Sequence, residues 1–83
     1  MARIVFFASI REDLECESIS FPVDEPCRVS ELIAGLARDH GDHWQLALTA
    51  ENVRVAVNQE LVSGDPVISD ADEVAFFPPV TGG

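Results

Sequence analysis

The sequence predicts a small α+β domain in which one helix lies across one face of a sheet. Residues 3–8, RIVFFA, and 73–77, EVAFF, are short β-branched and aromatic runs of the kind that form strands. Between them Val29, Leu32, Ile33, Leu36 and Ala37 recur at i, i+3, i+4, i+7 and i+8, the period of one amphipathic helix. At 83 residues there is room for one core and no second. Strands grouped around a lone helix bury their shared apolar face beneath it.

In the opening strand Ile4, Phe6 and Ala8 share one face, Val5 and Phe7 the other. Arg11 to Asp13 reads as a polar turn. Residues 15–22 alternate again, with Ile19 and Phe21 inward and Ser18 and Ser20 outward, predicting a hairpin that Pro22 to Pro26 breaks. The helix spans roughly 28–40, with Gly41 as its stop. Trp44, Leu46 and Leu48 predict a short further turn of helix that plugs the core. In VRVAVN, Val53, Val55 and Val57 oppose Arg54, Ala56 and Asn58. Asn58-Gln59-Glu60 then turns the chain into a short strand, Leu61 to Ser63. Gly64-Asp65-Pro66 is a loop and Ser69 to Asp72 a turn. Glu73 to Phe77 is the last strand, ended by Pro78 and Pro79, which donate no ladder hydrogen bonds. The order is β-β-α-β-β-β: a folded domain over residues 1–77 and a flexible tail over 78–83.

Alternation has a consequence for the surface. If Phe6 and Phe76 pack under the helix, Phe7 and Phe77 face away from it on two strands of the same sheet. Such an exposed aromatic patch marks a partner surface, the alternative being that loops or the Trp44 region cover it.

With 15 acidic and 5 basic residues the net charge is −10, which repels nucleic-acid phosphates and favours a basic partner. No apolar run approaches the roughly 20 residues of a membrane span, and no export signal is evident, so a cytoplasmic protein with reduced Cys16 and Cys27 is expected. His40 and His43 have a spacing that can hold a metal, but the run crosses Gly41 without a third ligand. Solvent-facing histidines at a helix C-terminus are the expectation. Acidic pairs such as Asp70 and Asp72 fall in turns, where Asp stabilises backbone. No phosphate loop and no nucleophile–base constellation is present, so no independent active site is expected.

The tail carries the remaining chemistry. FFPPVTGG runs from apolar through proline-stiffened to Gly82-Gly83. Without Cβ atoms, a Gly-Gly tip can thread a narrow channel and bring its carboxylate to the centre of another protein's active site. There the carboxylate can attack the α-phosphate of ATP, and a sulfur nucleophile can displace AMP. Val80 and Thr81, stiffened by Pro78-Pro79, limit the entropy lost on insertion.

This tail on this order of strands resembles the β-grasp, ubiquitin-like sulfur carriers, among them the small subunits of molybdopterin synthase. The likeness spans the chain: FFA with Arg11-Glu12, AVNQ-x-LV at 56–62, and DADEVAFFPPVTGG at 70–83. Ala71 stands where such carriers commonly have Gly, which a type I turn tolerates. The resemblance implies a mixed sheet covered on one face by one main helix. It implies adenylation of Gly83 by a ubiquitin-activating-type enzyme that uses ATP, then a C-terminal thiocarboxylate, with no cofactor permanently bound. It further implies insertion of the tail into a large catalytic subunit and sulfur transfer to cyclic pyranopterin monophosphate, in a heterotetramer. Phe7, Arg11, Leu61 and Phe77 would lie at the interface, with Pro78, Pro79, Val80, Thr81 and Gly82 leading to Gly83. Carriers for thiamine or cysteine synthesis, a ubiquitin-like protein modifier and a plain interaction domain remain alternatives.

Overall fold

A computed structural model describes residues 1–78. The elements are β1 (Ala2–Phe6), α1 (Ala8–Leu14), β2 (Ser18–Phe21), β3 (Cys27–Arg28), α2 (Val29–His40), α3 (Asp42–Leu48), β4 (Arg54–Val57), β5 (Glu60–Val62), β6 (Val67–Ile68) and β7 (Glu73–Phe77). Five strands form one mixed sheet in the order β2-β1-β7-β4-β5, and β3 pairs with β6 in a small second sheet. β1 and β7 run parallel at the centre, with Ile4 beside Val74 and Phe6 beside Phe76. The other pairs in the large sheet are antiparallel.

The core lies between this sheet and α2, as the periodicity predicts. Ile4, Phe6, Val74 and Phe76 project from the sheet, and Leu32, Ile33 and Leu36 descend from α2; all are buried. Gly35 allows the helix to close on β2: a Cβ there would stand 2.7 Å from the Phe21 ring. The start of α2 is held from two sides. Arg28 N–H donates to Glu31 Oε1 at 2.9 Å, and Ser30 N–H donates to Asp65 Oδ1 at 2.8 Å, satisfying amides with no intrahelical partner. Gly41, at φ 120°, ends α2 and begins α3, a backbone angle that disfavours any side chain.

Several sequence expectations are corrected. Arg11–Asp13 is not a turn, and Ala8 does not belong to the first strand; both lie in α1, which buries Ile10 and Leu14. β1 and β2 do pair, but through this helix rather than a tight hairpin, and β2 begins only at Ser18. Leu46 does not plug the core and is 73% exposed, whereas Trp44 and Leu48 are buried. In a helix Trp44 and Leu48 stand at i and i+4 on one face, and Leu46 falls on the opposite side. The single main helix is therefore accompanied by two of seven residues each. The two-residue strands β3 and β6 are too short to announce themselves in the sequence.

Candidate functional site: an aromatic face beside the exit of the chain

The sheet face away from α2 follows from the register. Its middle row runs Ser18, Val5, Ala75, Ala56, Leu61 across the five strands. The next row brings Phe77 opposite Arg54. Phe7 continues β1 with an extended backbone, and its N–H donates to the Phe76 carbonyl at 3.1 Å, which sets it beside Phe77. Small residues in the middle row leave the larger side chains at its end prominent. Phe7 is 49% exposed and Leu61 68%, while Phe77 is half-buried. Trp44 does not cover them; it sits on the core side, edge-on to Phe6 with ring centroids 5.4 Å apart.

Arg11 N–H donates to the Phe7 carbonyl at 3.3 Å, one helical turn on, so α1 fixes the backbone of this exposed arginine close to Phe7. A short helix that the sequence does not announce is thus what positions a predicted interface residue. Its start is abrupt: Ala8 has φ 51°, a left-handed conformation uncommon outside glycine. Pro78 leaves the end of β7 beside this face and lines a shallow hollow with Ile10, His43, Leu46 and Val53. Phe7 and Phe77 are thus adjacent, Leu61 stands on the same face two strands away from β7, Arg11 follows one helical turn after Phe7, and Pro78 lies against α1 and α3. Pro79, Val80, Thr81, Gly82 and Gly83 lie outside the described residues.

Leu61 is placed by a turn whose function the sequence did not disclose. Asn58 and Gln59 both have positive φ, 51° and 69°, in a two-residue hairpin between β4 and β5. Asn58 Nδ2 donates to Asp72 Oδ1 at 2.9 Å, and Asn58 Oδ1 accepts the Glu73 N–H at 3.0 Å. Asp72 also accepts the Ser69 N–H at 2.8 Å. These bonds tie the hairpin to the start of β7, the strand that carries Phe77. The hydrogen bond from Asn58, and then that from Ser69, hold the Asp72 carboxyl below the ordinary carboxylate range. Ala71 lies in this turn without a positive φ, so it needs no glycine.

The histidines serve packing and capping. The His40 ring stacks on Trp44 at 4.2 Å between centroids. His43 Nε2–H donates to the Asp13 carbonyl at 3.0 Å, at the C-terminal end of α1. Among the described residues no three His, Cys, Asp or Glu side chains are grouped to hold a metal. Cys16 and Cys27 are both free thiols, and burial followed by the nearby Glu31 charge pushes the Cys27 thiol above its ordinary value. No described helix is long and apolar enough to cross a membrane.

Comparison with known proteins agrees with this geometry. The molybdopterin synthase sulfur carrier subunit of Escherichia coli (strain K12) is 45% identical over 83 residues, covering 100% of both chains. The protein of that name from Haemophilus influenzae is 36% identical over 83 residues, again covering 100% of both. The crystal structure of SAMP1 from Haloferax volcanii superposes with a TM-score of 0.74 over 99% of this chain and 98% of that one, at 24% identity. The mixed sheet under its helix is therefore a ubiquitin-like β-grasp. The model of the ThiS family matches residues 4–83, nearly the whole sequence, and the chain belongs to that family.

Proposed function

We propose that this chain is the sulfur carrier subunit of a molybdopterin synthase, with its reactive group at Gly83. The observation that carries the reading is the junction at the end of β7. Phe76 is fully buried, Phe77 stands on the open face, and the chain leaves at Pro78. A partner that covers Phe7, Phe77 and Leu61 receives the following residues, Pro79 to Gly83, directly into its own interior. Full-length identity of 45% to a protein with that name supports the pathway.

In this reading the fold delivers and the partners catalyse. A ubiquitin-activating-type enzyme directs a Gly83 carboxylate oxygen onto the α-phosphorus of ATP, and pyrophosphate leaves. Sulfide (HS⁻) then attacks the acyl carbon, AMP departs with the broken acyl–phosphate bond, and loss of the S–H proton leaves a thiocarboxylate. Inserted into the large catalytic subunit, that thiocarboxylate donates its sulfur to cyclic pyranopterin monophosphate, and hydrolysis restores the carboxylate. Gly82 and Gly83 permit the close approach of backbone that an acyl centre in a narrow channel demands.

Intact-mass measurement tests the chemistry. Protein from cells with a sulfur-activating pathway should contain a fraction about 16 Da heavier, one oxygen exchanged for sulfur in a covalent intermediate. Deleting Gly83 should abolish sulfur transfer and leave the fold intact, since a terminal residue contributes little to a core. A truncated protein that still transfers sulfur would sink the mechanism.

A further inference from the structure

The five arginines are unequally engaged. Arg3 pairs with Glu73 and Arg38 with Asp39, each at 3.8 Å, and Arg28 Nη1 donates to the Asp65 carbonyl at 3.1 Å. Among the described residues Arg11 and Arg54 form no ion pair. That is notable in a chain with 15 acidic residues and 5 basic ones. Arg54 is exposed and stands directly opposite Phe77 in the β4–β7 register. It also lines, with Leu61, Val62 and Ser63, a shallow hollow of about 440 Å³ at the end of the open face. In the rows of the open face Arg3 and Glu73 offset one another, which leaves Arg54 beside Phe77 without an acidic partner among the described residues.

We propose that Arg54 is a specificity-determining residue of the docking face, and that the protein covering Phe77 presents a carboxylate to it. This rests on the carrier reading above. Covering Phe77 strips water from the neighbouring guanidinium, and a buried charge is tolerated only when it is paired. Arginine beside an aromatic anchor is the composition of interface hot spots, and its planar fork suits a carboxylate. A wholly basic partner surface would be attracted to the molecule at a distance and repelled at this point. The matching surface is apolar at its centre with an acidic group at the Arg54 position.

Titration calorimetry of the full chain with the large synthase subunit tests this in about 0.15 M salt, where surface charges are screened beyond about 8 Å. Arg54→Gln should weaken binding about 10-fold and Arg54→Glu about 50-fold, as for loss and then inversion of a close charge pair. Arg38→Glu makes the same change in net charge on α2, on the other side of the sheet, and should alter the affinity less than about 3-fold. Unchanged binding by both Arg54 variants would overturn the inference, as would an equal loss with Arg38→Glu. A wild-type dimer broken by Arg54→Glu, with large-subunit binding unaltered, gives the face to a second copy and also overturns it. If wild-type protein does not bind the large subunit at all, the carrier reading itself fails. Circular dichroism checks that each variant is folded, and Arg54→Gln carries the test should charge inversion disturb β4.

Discussion

Phe76 and Phe77 are neighbours in sequence and opposites in consequence. Phe76 is fully buried and stacks beside Phe6, ring centroids 6.0 Å apart; Phe77 is half-buried on the open face. Phe76→Ala should cost about 3–5 kcal/mol through lost burial and the cavity left behind. That is a large share of the stability of a domain this small. Urea unfolding measures it. Phe77→Asp should leave the unfolding midpoint nearly unchanged and weaken large-subunit binding by about 2–4 kcal/mol, as for a central aromatic anchor. Unchanged binding would show that the open face is not the docking face. This division was legible beforehand because a strand has a period of two, so adjacent residues cannot share a face. Arg54 lies in the same alternation, but its place opposite Phe77 depends on which strands pair and in which register. Local pattern does not encode that.

At the level of elements, legibility followed length. α2 has twelve residues and a full apolar stripe, so its period was plain. α1 has seven residues, two of them buried, and no side-chain hydrogen bond caps its start at Phe7. With Arg11, Glu12 and Asp13 in succession its sequence looks like a polar turn. Its helical form comes from tertiary contact rather than propensity, since so short a helix is unstable alone. One such contact is the His43 bond to the Asp13 carbonyl, which fastens α1 to α3. His43→Ala should therefore lower stability by about 0.5–1.5 kcal/mol, the net worth of one hydrogen bond. Amide hydrogen exchange should quicken in α1 and stay unchanged in α2. If α1 exchange does not respond, the histidine is not what fastens the helix. Since α1 holds Arg11 beside Phe7, the same variant tests whether the docking face depends on that fastening.

For the molecule as a whole, acidity acts in two opposing ways as pH falls. The net charge of −10 repels itself at neutral pH, and protonation toward the isoelectric point near 4.2 relieves that strain. Three aspartates act in the other direction. Bonds from the Ser30 side chain and amide lower the Asp65 carboxyl. The amino terminus and the Val23 amide lower Asp70, and Asn58 and Ser69 lower Asp72. A carboxyl lowered on folding stabilises fully above its unfolded value, about 3.9 for Asp, and loses that contribution as pH falls through its lower folded value. Stability should thus hold or rise slightly from pH 7 to about 4 and then decline as these three carboxyls protonate, each by a small amount because they are exposed to water. Asp72→Asn isolates one of them. Asp72 uses both oxygens, one for Asn58 and one for Ser69, and an amide offers a single acceptor. The variant should melt at a lower temperature than wild type at pH 7. The two melting curves should then converge as pH drops through the lowered value of the wild-type carboxyl and it too becomes protonated. Thermal unfolding followed by circular dichroism across that range decides it. A gap that stays constant down to the lowest pH would mean that shape, rather than the ionised carboxylate, holds the Asn58 hairpin to β7.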